Sequence, residues 1–339
     1  MSRHRLTPHA RVSVRRRPAL HTSAALTLLV AGWAVTAGLQ GAAHSDSRAV
    51  PPMSVLPARS GEPSGIAPLA SIVSLPAAPT ASPSPSESVR ALPAPKPERA
   101  PDEVLSERLK PLLGATSASV SVAILDLKDG RAARYGVGSG KTYDTASIVK
   151  VDILAALLLK AQDADRRLTA REKTYATAMI KVSDNASADA LWDAIGGSGG
   201  LDAANRRLGL TGTTAGTNGL WGLTQTTAAD QLVLLSAVFG EDSELSTASK
   251  TYARGLMGGI AADQDWGVSA AGSVTGLKNG WLQRSATGLW DINSIGRISV
   301  DGRPCLVAVL SRGSATMDAG VALVEKAAKA AASAVSGQA

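Results

Sequence analysis

Histidine is missing from most of this chain, and its absence excludes a broad branch of hydrolytic chemistry. All four histidines, His4, His9, His21 and His44, fall within the first 44 of 339 residues. No Ser-His-Asp triad and no histidine metal site can be assembled from the remainder. Cysteine is nearly absent as well. Cys305 alone rules out a cysteine cluster and a disulfide framework, so a folded domain must rest on its apolar core. Neither a metal nor a cofactor is expected. Excess charge is also lacking where it would matter. The formal net charge is +7, but the first hundred residues carry 11 basic and 4 acidic side chains, and the rest carry 24 of each. The globular part therefore has no electrostatic footprint for nucleic acid.

What is present divides the chain into three parts. Arg3, Arg5, Arg11, Arg15, Arg16 and Arg17 precede residues 22–43, which carry no formal charge. A positive flank followed by an apolar segment reads as a signal peptide cut after Ala43, or as an uncleaved anchor through residues 22–43. Either way the expectation is export to the cell envelope or beyond. No cysteine lies near Ala43, which argues against lipid attachment there. Residues 44–101 follow as a disordered linker, since 13 of the 17 prolines lie between Val50 and Pro101 and such a segment has too little large apolar surface to fold. In a polyproline state its roughly 50 residues reach at most about 150 Å. Residues 102–339 form the catalytic-sized remainder, expected to be a monomer.

Periodicity and turn chemistry sketch that remainder. A helix is expected over 103–113, a strand over 118–125, a hairpin turn at Asp129-Gly130 and a second strand over 131–135. Helices follow over 147–160, 186–195, 202–208 and 227–239, each stopped by glycine or loop sequence. The chain then returns to strands over 274–282, 290–300 and 305–311 and closes with a helix over 317–335. Strands at both ends with helices between them predict an α+β fold: one antiparallel sheet built from distant segments, an inserted all-helical lobe, and a cleft where they meet.

Three short motifs occur in that frame. Ser147-Ile148-Val149-Lys150 opens a helix that is apolar on nearly every side. A helix of this kind is buried. Ser147 and Lys150 share a face, and burial, the helix dipole and a second nearby cation would all push the amine toward its neutral form. A neutral lysine is a competent base for a hydroxyl. The free N–H of Ser147 at the helix start can meet an oxyanion. Ser183-Asp184-Asn185 would, by itself, read as a helix cap. Lys278-Asn279-Gly280 lies in a strand pattern, where a lysine alone could simply protect an edge. Their joint occurrence, in this order and on these element types, is what carries the chemistry.

At these residues the chain resembles the penicillin-interacting serine hydrolases, the superfamily of class A β-lactamases and D,D-peptidases. The resemblance implies that Ser147 is acylated with Lys150 as base and that Ser183 relays a proton to the leaving nitrogen. It also implies that Asn185 holds the substrate's amide side chain and Lys278 its carboxylate, with the Trp281 N–H, after Gly280, as second oxyanion donor. The chain departs from the pattern twice. Asn279 stands where the family carries a hydroxyl that helps bind the carboxylate. In addition, no glutamate lies between Glu172 and Glu241, where class A enzymes place the residue that activates water for deacylation. Asp189 and Asp193 fit the exposed face of a helix, Asp230 the first turn of another, and Asp202 is the remaining carboxylate. The expected function is a β-lactam or amide hydrolase. A D,D-peptidase or esterase acting on peptidoglycan peptides, and a non-hydrolytic cell-wall-binding module, are the competing readings.

Overall fold

The computed structural model describes residues 99–138 and 141–336. The expected leader and nearly all of the expected linker lie outside the described residues. Helix α1 (Pro101–Gly114) leads into β1 (Ser119–Asp126), a turn at Gly130 with φ 76°, and β2 (Ala132–Tyr135). After the short β3 (Tyr143–Asp144) come α2 (Val149–Asp163), α3 (Ala170–Lys181), α4 (Asn185–Ile195) and α5 (Gly197–Leu208). Next are β4 (Gln225–Thr226), α6 (Ala228–Phe239) and α7 (Thr247–Met257), then the long strands β5 (Ser273–Gln283), β6 (Trp290–Val300) and β7 (Arg303–Ser314), and finally α8 (Met317–Val335).

The main sheet is antiparallel in the order β2-β1-β7-β6-β5, so its strands do come from both ends of the domain. One face carries Val122, Ile124, Val307 and Val309 into a core shared with Leu105, Leu109, Val324, Ala327 and Ala331 of α1 and α8. The other face sends Ala123, Leu306, Ala308 and Leu310 into a core with α2 and α6. Burial on both faces explains why β1 and β7 read as continuous apolar runs rather than strict alternations. Small residues let α8 lie close. A Cβ added at Gly320 would stand 2.3 Å from Ile292 Cγ1.

Two helices went unpredicted. In α3 only Ala176, Met179 and Ile180 are buried, and in α7 the large buried apolar residues are Leu256 and Met257, so neither has a long apolar stripe. The legible signal for α3 was its cap. Thr169 accepts from the Glu172 N–H while Glu172 accepts from the Thr169 N–H, a reciprocal capping box. Helix α5 begins at Gly197, five residues before the expected start, because Gly196, with φ 98°, ends α4 and opens α5 in one step. Ser147 lies in a 3₁₀ turn, Ala146–Ile148, rather than in the helix proper.

Helix α2 is the axis of the inserted lobe. Twelve of its 15 residues are buried, including Lys150 and Asp152. These two stand two positions apart and so on opposite sides of the helix. Lys150 faces the groove against β5, while Asp152 faces α5, where the side-chain amide of Asn205 lies 2.7 and 3.1 Å from the two Asp152 carboxyl oxygens.

Candidate active site

The groove is bounded by the start of α2, the loop before α4, the outer strand β5, and residues 211–227. Ser147, Lys150, Ser183, Asn185 and Lys278, singled out from sequence, converge in it. Lys150 Nζ lies within hydrogen-bonding distance of Ser147 Oγ at 3.0 Å, the Ser183 carbonyl at 2.7 Å, Ser183 Oγ at 3.2 Å and Asn185 Oδ1 at 2.7 Å. Lys278 Nζ reaches the same Ser183 hydroxyl at 3.0 Å and the Asn279 carbonyl at 2.8 Å. One hydroxyl therefore bridges two buried amines. Lys150 is 0% exposed and Lys278 1%, whereas Ser147 keeps a partly open surface.

Two cations that share a hydroxyl away from water repel each other and lose hydration, so the neutral form gains. Burial lowers Lys150 from its usual value near 10.5 to about 8, with the carboxylates of Asp184 and Asp189 partly opposing. Burial, and then the Lys150 charge, drive Lys278 well below the usual lysine range.

Local chemistry explains how the loop before α4 serves the site. Asp184 caps α4 by accepting the Ser187 N–H at 2.7 Å, and bonds from Ser187 hold its carboxyl below the usual range. With the middle residue of Ser183-Asp184-Asn185 occupied as a cap, its two neighbours are free to meet Lys150. Ser183 pays for this with a positive φ of 58°, and Ala146, just before Ser147, has φ 46°. Strained backbone on both sides of the Lys150 amine is what a site held by its surroundings looks like.

Those surroundings include residues that sequence reasoning missed. Asn293 of β6 donates to the Asp144 and Thr145 carbonyls at 2.8 and 3.0 Å. The Thr145 N–H donates to the Thr224 carbonyl at 2.9 Å. The segment before Ser147 is thus tied to the sheet on one side and to the 211–227 loop on the other. Asn293 stands among other polar residues of the same strand, Asp291 and Ser294, so no sequence signal singled it out. Gly280 supplies the last contact. A Cβ there would lie 2.7 Å from the Ser147 nitrogen, 2.8 Å from the Thr145 oxygen and 2.9 Å from the Ile148 nitrogen. Backbone must shift to admit it, and a displacement of about 1 Å at a reacting centre costs on the order of 10²-fold in rate. For the acylation that the sequence leads one to expect at Ser147, Gly280→Ala is expected to slow that step about 10²-fold while the far-ultraviolet circular dichroism stays unchanged.

Asn279 differs from expectation. It is 1% exposed, and its amide N–H groups go to the carbonyls of Gln264 and Trp266 at 2.7 and 3.0 Å. Strand alternation turns it away from the Lys278 side, so it anchors the segment before β5 and offers no amide to a substrate carboxylate. Trp281 is half-buried, with its ring 6.0 Å from that of Trp266.

Trp221 packs against Lys150. The amine lies 4.9 Å from the indole ring centre, a cation–π distance. The indole N–H donates to Asp189 Oδ1 at 2.7 Å. Asp189 stands one turn after Asn185 on α4, on the groove side of the helix. Of the other carboxylates considered, Asp230 accepts from Gly212 N and Thr213 Oγ1 at 2.8 and 2.6 Å, and Asp202 accepts from Ala215 N at 2.9 Å. Both brace the 211–227 loop.

The chain and its fold also have relatives among known proteins. A model described as the β-lactamase enzyme family matches residues 171–335. The fold is that of class A β-lactamases. The enzyme from Bacteroides cellulosilyticus superposes with a TM-score of 0.60 over 70% of this chain and 98% of its own, at 19% identity. The β-lactamase from Streptosporangium roseum gives 0.58 over 69% and 99%, also at 19% identity. Among curated proteins, "Putative lipoprotein LppW" of Mycobacterium tuberculosis is 32% identical over 118 residues. That stretch spans only 36% of the length of the LppW chain.

Proposed function

We propose that this chain, with its class A β-lactamase fold and its match to the β-lactamase enzyme family, is an active-site-serine hydrolase of the cell envelope, acylated on Ser147 with Lys150 as general base. The observation that carries this reading is the Lys150 amine, buried, inclined to neutrality and 3.0 Å from Ser147 Oγ. A neutral amine there takes the hydroxyl proton as Oγ attacks a carbonyl carbon. Ser183, hydrogen-bonded to both lysines, is suited to pass that proton to the leaving nitrogen. The N–H groups of Ser147 and Trp281 would hold the oxyanion, Lys278 a substrate carboxylate and Asn185 an amide. The substrate is a β-lactam or a related amide. The lipoprotein name of the LppW relative supports envelope placement, as does the basic, then uncharged, N-terminal sequence.

A second reading keeps the chemistry and changes the substrate to a peptidoglycan peptide or an ester. What favours it is Trp221, rather than a water-activating carboxylate, against Lys150. The experiment is time-resolved intact-mass spectrometry with benzylpenicillin, followed by peptide mapping. A mass increase on the peptide containing Ser147 is expected. Rapid loss of the adduct with product release selects the β-lactamase, and slow decay together with D-alanine release from a model peptide selects the peptidase. No adduct, with no hydrolysis of a chromogenic cephalosporin, would overturn both.

A further inference from the structure

The acyl-enzyme formed on Ser147 needs a second step, and the groove holds a specific obstacle to it. Hydrolysis requires water to attack the ester carbon while a base takes its proton. Here the base at hand is Lys150 itself. A neutral amine would accept the water proton as the new C–O bond forms and return it to Ser147 Oγ as the ester C–O bond breaks, so the step balances without another group. Water must then reach the amine. Oxygens of Ser147, Ser183 and Asn185 contact the amine, and the amine also lies over the Trp221 ring, 4.9 Å from its centre. That separation leaves no layer for a water molecule between nitrogen and ring, since a water needs about 2.8 Å to the amine and further van der Waals clearance to the ring.

The ring is also held. Trp221 belongs to a single 3₁₀ turn, Trp221–Leu223, which alone would not fix a side chain. Its indole N–H is bonded to Asp189 on a different element. Asp189 is exposed, so its bond to the indole is what ties the ring to α4. The loop beneath the ring is fastened independently, by the paired backbones of Thr214 and Gln225 and by Gly216 N donating to Thr224 Oγ1.

Resting on the acylation reading above, we propose that the Trp221–Asp189 pair is a gate on deacylation: the indole, held over Lys150 by Asp189, excludes the hydrolytic water and gives the protein a long-lived acyl-enzyme. Trp221 and Asp189 are thus positioning residues that act through Lys150, and their larger effect falls on adduct lifetime.

The test measures adduct formation and adduct decay separately, by intact mass after a pulse of benzylpenicillin, on the full chain. Trp221→Ala and Asp189→Ala are each expected to shorten the adduct half-life at least about tenfold, and by a larger factor than either changes the acylation rate. Asp189→Asn, which keeps an acceptor oxygen for the indole, is expected to retain the wild-type lifetime. A purely structural role would lower the thermal midpoint without this split between the two rates. Equal lifetimes in all four proteins would overturn the gate and leave the acylation reading standing. A longer lifetime in Asp189→Ala would overturn it too, because the carboxylate would then be activating water. Absence of any adduct on the wild-type protein would remove the acylation reading, and the gate with it.

Discussion

Lys150→Arg is expected to reduce the acylation rate by about three orders of magnitude, without loss of the folded state in thermal unfolding. Arginine preserves the cation and much of the hydrogen-bonding capacity, but it does not give up its proton in proteins. If Lys150 served only to hold Ser183 and Asn185 in place, the substitution would be mild. If it is the base that takes the Ser147 proton, the loss falls within the range for general-base removal, about 10²- to 10⁴-fold. Lys150→Met, uncharged and of similar length, is expected to lose as much. The same assignment fixes a pH profile. The active form is the neutral amine, and burial brings its pKa to about 8. Acylation is therefore expected to rise about tenfold per pH unit below 8 and to level off above it. Stopped-flow acylation by a chromogenic cephalosporin between pH 5.5 and 9.5 measures this directly. A flat profile, or an arginine variant that acylates normally, would take the proton-transfer role away from Lys150.

The second large effect concerns stability and lies on the far side of the same helix. Asp152 is 1% exposed, and its carboxyl is raised from 3.8 to about 8, chiefly by burial, with Asp230 and Asp202 adding to the rise and the Asn205 amide opposing it. Between pH 4 and 8 the folded state thus keeps a proton that the unfolded state has released, and stability falls as pH rises. The slope from this one group is at most about 1.4 kcal/mol per pH unit. It is opposite in sign to the contribution of Glu172, whose carboxyl is held near 2 by Arg166 and whose stabilising effect is already complete above about pH 4.5. Asp152→Asn removes the titration and keeps the shape. Urea unfolding at pH 5, 6.5 and 8 is expected to show the variant gaining on the wild type at each step. Parallel behaviour of the two proteins would mean that Asp152 does not bind a proton in the folded state.

The fold class could be read from sequence because the strands that build it are long, apolar and bounded by clear turns. The span over 290–300 and the last helix over 317–335 were read with the ends they have in the structure. The helices α3 and α7 were not, since each buries few large side chains and depends on neighbours for its stability. Gly197 to Gly200 in α5 break intrinsic helix preference outright, and only packing against the lobe offsets that cost.

The site divides in the same way. Residue identity and order alone determined that the base for Ser147 cannot be a histidine, that Ser147 and Lys150 stand three positions apart on one face, and that the usual glutamate is missing, because these follow from covalent sequence and local backbone geometry. Tertiary structure decided that one Ser183 hydroxyl bridges two buried amines, that Asn279 turns away into backbone carbonyls, and that Trp221 covers Lys150 under the hold of Asp189. The Asn279 partners lie 15 and 13 residues away, and the Ser183 and Trp221 hydrogen bonds join residues 32 to 95 apart along the chain. No local pattern encodes them, because desolvation and side-chain contact exist only once the sheet and the helical lobe have closed on each other.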